Sequence, residues 1–229
     1  MKVTTTFSVA GRCDQTGALG AIVTSSSPAV GARCPWVKSG VGVVLSQNVT
    51  DPRLGEIGLS TLANGYDANA AIRTMVAASD FKEYRQLAVV DASGKSSVFT
   101  GEKALGVHGE YCDTNIACVG NLLSDSKIPE AMGQKFKENS SLSFPERLIL
   151  SLEHGFALGG EMDDEHSIAL LVYEKDVPFP VVDLRVDYSD DPLGDLKKVW
   201  EIYRPQAEDY KVRALNPARA PSYGVIGDK

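Results

Sequence analysis

Residues 3–10 read Val3-Thr4-Thr5-Thr6-Phe7-Ser8-Val9-Ala10, and the fold is read outward from their alternation. Val3, Thr5, Phe7 and Val9 fall on one side of an extended chain, and Thr4, Thr6, Ser8 and Ala10 on the other, because successive strand side chains point to opposite faces. A turn at Asp14-Gln15-Thr16-Gly17 returns the chain through Leu19-Gly20-Ala21-Ile22-Val23, which ends in the hydroxyl run Thr24-Ser25-Ser26-Ser27. Beyond Pro35-Trp36 a third strand, Val41-Gly42-Val43-Val44-Leu45, finishes on Ser46-Gln47-Asn48. Hydroxyl, amide and basic groups, Arg33 and Lys38 among them, thus collect at the ends of glycine-rich strands. That pattern suits a polar site built on a sheet.

The period then changes. Asp51-Pro52 opens a helix carrying Leu54, Ile57 and Leu62 inward and stopping at Asn64-Gly65; Asp67 caps a second on Ala68, Ile72, Met75 and Val76. A hairpin follows, 86–91 and 96–100 around Ala92-Ser93-Gly94-Lys95, then a short strand over 116–119 ending in Gly120-Asn121. Ile128, Ala131, Met132 and Phe136 mark a third helix, and Ser143-Phe144-Pro145-Glu146 is a capping box opening a fourth on Leu148, Leu152 and Phe156. Strands over 167–173 and 180–187 precede a last helix on Leu193, Leu196, Trp200 and Tyr203. Hairpin links imply antiparallel pairing, and helices arriving in pairs imply layers covering the sheets. The expectation is α+β: a four-layer αββα sandwich of two antiparallel sheets flanked by helices. Val23, Val43, Val89, Leu170 and Leu171 are expected inside it. Residues 1–203 are expected to form one domain, and 204–229, with Pro205, Pro217 and Pro221, read as an extended C-terminal arm that docks on its own domain or a neighbouring subunit.

Composition narrows the partners. The chain has 229 residues and a net charge of −7, so an acidic surface argues against nucleic acid or anionic membrane and leaves small molecules or other proteins. Apolar runs such as 41–45 and 168–173 are too short to span a bilayer, and Met1-Lys2 leads straight into a strand with no secretory signal. Cys13, Cys34, Cys112 and Cys118 make no C-x-x-C pair, which removes zinc and redox readings and points to free thiols in a cytoplasmic protein. No G-x-S-x-G elbow, H-E-x-x-H or P-loop is present, and Gly40-Val41-Gly42 lacks the third glycine of a dinucleotide fingerprint. No cofactor and no metal is implied.

Several phrases in order carry a resemblance: Thr6-Phe7-Ser8, Gly17-Ala18-Leu19-Gly20, Pro35-Trp36, Gly40-Val41-Gly42, Glu83-Tyr84-Arg85-Gln86, Val89-Val90-Asp91, Gly120-Asn121 and Asp183-Leu184-Arg185-Val186-Asp187. Together they resemble the bacterial domain of unknown function 1028 family, grouped with the N-terminal-nucleophile (Ntn) hydrolase fold. The resemblance implies an αββα sandwich and hydrolysis of a C–N amide bond in a small or peptide-like substrate. In Ntn hydrolases the first residue's hydroxyl or thiol is the nucleophile and its free α-amine the base. Carried over, Thr6 falls on the family's starting threonine, Arg33 and Lys38 are the nearest cations to tune its amine, and Gln47, Asn48 and Asn121 are candidate oxyanion or substrate donors. Ser25, Arg85 and His166 complete the expected substrate-binding set. The chain departs from the pattern in two places. Lys2, Val3, Thr4 and Thr5 stand between the initiator methionine and Thr6, so the amine must be freed by processing. After Gly159-Gly160 the run Glu161-Met162-Asp163-Asp164-Glu165-His166 replaces a basic lip with an acidic one. The competing reading is a catalytically silent Ntn-fold protein serving binding or assembly; in either case a homo-oligomer is expected.

Overall fold

The computed structural model describes residues 5–224. Among them ten strands form two sheets, every neighbouring pair antiparallel. Sheet A runs β10-β9-β2-β1-β8-β7, using β1 (Thr6–Arg12), β2 (Leu19–Ser25), β7 (Gly109–Asp113), β8 (Ile116–Asn121), β9 (Ser167–Tyr173) and β10 (Val182–Val186). Sheet B runs β3-β4-β5-β6, using β3 (Pro35–Lys38), β4 (Gly42–Asn48), β5 (Arg85–Asp91) and β6 (Ser96–Thr100). Helices α1 (Arg53–Ala63) and α2 (Ala68–Ala78) cover sheet B, and α3 (Ile128–Glu138), α4 (Phe144–Ala157) and α5 (Pro192–Tyr203) cover sheet A. The result is the expected αββα sandwich.

The alternation of β1 decides which layer each side chain joins. Phe7 and Val9 enter the apolar layer between sheet A and its helices, with Met132, Phe136, Leu148 and Leu152. Ala10 enters the layer between the sheets, with Val23, Val43, Leu45, Ala88 and Ala117, and Val89 packs beneath α1 and α2 with Leu54 and Met75. Of the residues expected inside, Val23, Val43, Val89 and Leu170 are fully buried, while Leu171 is only half buried. Caps fall where the sequence puts them at two helices: Asp67 accepts from the Ala70 N–H at 3.0 Å, and Asp191 from Gly194 at 3.0 Å. At α4 the two box residues bond each other instead, Ser143 Oγ donating to Glu146 Oε2 at 2.6 Å.

Three features depart from the sequence reading. Pro35–Lys38 is a strand of its own; it lies at the sheet edge, where a proline first in the strand costs no ladder bond. Gly109–Asp113 is the other added strand, an edge whose alternate residues Glu110 and Cys112 face solvent and so leave no apolar stripe to read. The segment after residue 203 is not an extended arm: the helix α6 (Ala207–Leu215) runs through it. Its prolines fall outside the helix, Glu208 and Asp209 sit in the first turn and Arg213 in the last, the arrangement the helix dipole favours. Lys211 ties it to Glu174 at 2.8 Å, and Tyr210 stacks on Tyr203 with centroids 5.9 Å apart. The expected strand residues Val3 and Thr4 and the tail residues 225–229 lie outside the described residues. Among the described residues no helix is long and apolar enough to cross a membrane.

Candidate active site around Thr6

Thr6 opens β1 in the middle of sheet A, facing Ser25 of β2 on one side and Asn121 of β8 on the other. It is 5% exposed. Its hydroxyl donates to the carbonyl oxygen of Thr5 at 2.6 Å, with Ser25 Oγ 3.3 Å away. Ser25 Oγ donates to that same Thr5 carbonyl oxygen and lies 2.8 Å from Ser27 Oγ, which in turn accepts from Nη2 of Arg33. Arg33 is held in place by the carbonyls of Pro28 and Ala29, at 2.7 and 2.9 Å from Nη1. A row of hydroxyls therefore runs from Thr6 to a guanidinium.

The main chain of Thr6 is fixed from the other sheet. Gln47 Nε2 donates to the Thr6 carbonyl at 3.2 Å and to Gln86 Oε1 at 2.9 Å, while Gln47 Oε1 accepts from Ser8. Asn121 Nδ2 reaches the same Thr6 carbonyl at 3.2 Å and Gln86 Oε1 at 3.3 Å. Gln86 Nε2 closes the cluster on the carbonyl of Gly120 at 3.0 Å. Buried amides are costly unless paired, so this cluster locks Thr6 in register. Asn121 Oδ1 remains without a partner among the described residues.

On the upstream side, Thr5 sets its N–H and hydroxyl on Ser26 Oγ, at 3.2 and 2.7 Å. The Ser26 N–H donates to Glu161 Oε2 at 3.0 Å, and Glu161 Oε1 has no partner among the described residues. Glu161 is 7% exposed. Burial first, then the neighbouring Glu165 carboxylate, pushes its carboxyl well above the usual range. Burial also raises Glu165, whose Oε1 accepts from the Glu161 N–H at 3.1 Å.

The structure brings Thr6, Ser25, Arg33, Gln47 and Asn121 together and leaves the other expected residues apart. Lys38 is exposed at the far end of β3, paired with Gly42, whereas Gln47 reaches Thr6 from the opposite end of β4; the antiparallel hairpin separates two residues that the sequence places close. Asn48 shares the correct end of sheet B but turns to brace loops, Nδ2 on the Tyr84 carbonyl at 2.6 Å and Oδ1 under the Leu105 N–H at 3.1 Å. Arg85, one residue from Gln86 and so on the opposite face, bonds the Val49 carbonyl and lies 3.8 Å from Asp51 Oδ2. His166 donates its backbone N–H to the Ser25 carbonyl at 2.8 Å, yet its ring stacks on Tyr188 with centroids 4.9 Å apart. A groove of about 1350 Å³ between α1 and α2, lined by Trp36, Ile57 and Tyr66, touches none of Thr6's partners. Size alone does not locate chemistry, so the convergent polar groups at Thr6 define the candidate site.

Gln86, Ser26, Ser27 and Glu161 stand outside the site set expected from the sequence. Gln86 is legible in principle: a glutamine heading an apolar strand must be exposed or paired. Glu161 reads as part of a solvated acidic loop, and the bridge of Leu123 to Glu161 carries it inward. In the intact chain the Thr6 nitrogen is a peptide amide, and the partners of its hydroxyl are a carbonyl and another hydroxyl, so none of them takes its proton as a base. Among the described residues no group of histidine, cysteine and acidic side chains is placed to hold a metal.

Comparison with solved structures finds a protein of the same family from Silicibacter pomeroyi, 30% identical over 87% of this chain and 89% of that one, with a TM-score of 0.79. Anbu (ancestral beta-subunit) from Yersinia bercovieri matches at 10% identity over 96% of this chain and 100% of that one, with a TM-score of 0.41. Anbu from Hyphomicrobium sp. strain MC1, as a Gly-1 mutant, gives 13% identity, coverages of 96% and 100%, and a TM-score of 0.40. No match was found among curated proteins. The model of the family of unknown function DUF1028 matches residues 6–196, from the first residue of β1 into α5, and the chain belongs to that family.

Proposed function

We propose that the chain is an N-terminal-nucleophile amidohydrolase in which Thr6 attacks a small or peptide-like amide after the Thr5–Thr6 bond is cut. The observation that supports it most is the Thr5 carbonyl, whose oxygen accepts both the Thr6 and the Ser25 hydroxyls. Thr6 Oγ adds to the Thr5 carbonyl carbon while Ser25 donates to the developing oxyanion. The C–N bond breaks as the hydroxyl proton passes to the Thr6 nitrogen, leaving an ester on Oγ. Water then hydrolyses that ester, releasing the upstream segment as a carboxylic acid and restoring the threonine hydroxyl. The freed amine, with an ordinary pKa of about 7.7–8.0, is the base the intact chain lacks. Arg33, linked through Ser27 and Ser25, supplies positive charge, and Gln47 and Asn121 position Thr6. Val199, Ile202, Tyr210 and Leu215 leave apolar side chains exposed along α5 and α6, which supports the further reading that the chain self-associates.

Two proteins test the proposal: the intact chain and one beginning Met-Thr6, from which methionine excision exposes the threonine. Strand β1 starts at Thr6 and the apolar layers start at Phe7, so the shorter chain keeps the described fold. Amidase activity is expected in the shorter chain, lost on Thr6→Ala and lower in uncut protein by the about 10²–10⁴-fold that general-base help provides. Equal activity in both, with intact mass showing the longer chain still uncut, removes Thr6 as an N-terminal nucleophile. Activity in neither favours the silent binding protein, which the burial of Thr6 behind Thr5 also supports.

A further inference from the structure

Glu161 is a buried carboxyl with one oxygen satisfied and one not, and it stands where the chain enters the candidate nucleophile. It is anchored on the β8 side by its bridge to Leu123, and its Oε2 accepts from Ser26, one residue beyond the end of β2. Strand β1 lies between β8 and β2, so this side chain crosses the line of β1 just upstream of Thr6. Resting on the Thr6 reading above, we propose that Glu161 binds the free α-ammonium of the substrate's acyl residue, making unblocked aminoacyl amides the substrate class.

In the cutting step Thr5 is the acyl residue, so an external substrate places its own acyl residue in the same position. The Thr5 nitrogen, 3.2 Å from Ser26 Oγ, then marks the place of the substrate's α-nitrogen. In a free amino acid residue that nitrogen is an ammonium with three donors. Ser26 Oγ takes one, and the unpartnered Glu161 Oε1 is the acceptor beside it, the arriving cation displacing the proton that burial favours. A buried carboxylate oxygen with no partner is unfavourable, and an ammonium is the group that relieves it. The site's cation, Arg33, is already engaged by Ser27, Pro28 and Ala29 and would repel an ammonium only from the far end of the hydroxyl row. Asp163 and Asp164, exposed in the same loop, add a negative potential that favours cations at the entrance.

The test compares alanine p-nitroanilide with N-acetylalanine p-nitroanilide on the chain beginning at Thr6, with Glu161 or Glu161→Gln. The substituted glutamine would still accept from Ser26 through its amide oxygen, so the loop is retained. The free amine is expected to be cleaved with kcat/KM about tenfold or more above the acetylated compound, and Glu161→Gln to abolish that preference. A preference that survives the substitution, or none at all, overturns the proposal. A second arm does not need turnover: on the Thr6→Ala chain beginning at residue 6, calorimetry should detect alaninamide and not N-acetylalaninamide, with binding lost on Glu161→Gln. If neither anilide is cleaved, the hydrolase reading falls and this arm alone decides the amine site; equal binding of both amides, or binding indifferent to Glu161, refutes it and leaves Glu161 a brace for Ser26.

Discussion

Gln47 on β4 and Thr6 on β1 are joined across the two sheets, Nε2 donating to the Thr6 carbonyl at 3.2 Å. The same amide also receives Ser8 and, at 3.8 Å, the Cys34 thiol, and reaches Gln86, so one side chain serves four buried partners. Gln47→Ala strands the buried Ser8 hydroxyl and leaves the Thr6 carbonyl and Gln86 Oε1 with Asn121 Nδ2 as their remaining side-chain donor. Each buried group left unpaired costs about 1–3 kcal/mol. Urea denaturation of the variant should show a loss of at least that size; a loss below ~1 kcal/mol would mean that the cluster does not hold the sheets together.

Glu161 should make stability depend on pH. Its carboxyl is raised by burial and by Glu165, with Asp163 adding in the same direction. Between the unfolded value, about 4.3, and the higher folded one, the folded chain keeps a proton that the unfolded chain has lost. Stability therefore falls as pH rises through that interval. Glu161→Gln removes this contribution, so the variant should gain on the parent in Tm as pH rises from acid to neutral. A difference independent of pH would contradict it. Asp51 acts with the opposite sign: the Arg53 hydrogen bond lowers it, and the stability it supplies disappears as acid protonates it.

Gly55 in α1 has no room for a side chain. A Cβ there would lie 2.2 Å from Cγ and Cδ1 of Trp36, in the middle of the indole ring. Alanine gains about 1 kcal/mol of helix propensity over glycine, but forcing atoms into a packed contact costs about 1–3 kcal/mol. Gly55→Ala should lower Tm and quench or shift Trp36 fluorescence. An unchanged Tm would show that α1 slides freely on sheet B.

The cysteines should differ sharply in reactivity. Burial pushes the Cys34 thiol up to about 12 and raises Cys118 as well, whereas Cys112 is exposed on β7. Only the thiolate alkylates. Iodoacetamide under native conditions should place its adduct on Cys112, with the rest reacting only after unfolding. Native labelling of Cys34 would mean that the layer between the sheets opens.

What the sequence disclosed depended on periodicity. Phe7 and Val9 against Ser8 and Ala10 reveal both faces of β1, and Asp67 and Asp191 mark helix starts where side-chain caps do form. Edges are harder: β7 hides because alternate residues face water, and α6 hides because none of its residues is buried, so no core-facing stripe marks it. At the site, chain neighbours of Thr6 and strand-end polar residues are legible, but the facing direction of Asn48, Arg85 and Lys38 is fixed by register between strands, which no single strand encodes. Glu161 needs a contact between residues far apart in the chain.

Sheet B and its two helices use one unbroken stretch, residues 35–100, whereas sheet A joins β1 to β8 and β2 to β9 across gaps of 115 residues at Thr6–Asn121 and 143 at Thr24–Ser167. Loop closure over such gaps is slow, so local pairings win early. We expect refolding to protect sheet B and the β1–β2 hairpin before β1 pairs with β8 and β2 with β9, with the inner face of sheet B, Val43, Leu45, Ala88 and Val90, uncovered in the interval. Pulse-labelled hydrogen exchange reads that order directly, and simultaneous protection of both sheets would refute it. On a ribosome the same asymmetry means that Thr6, made early, is among the last residues to reach its final neighbours.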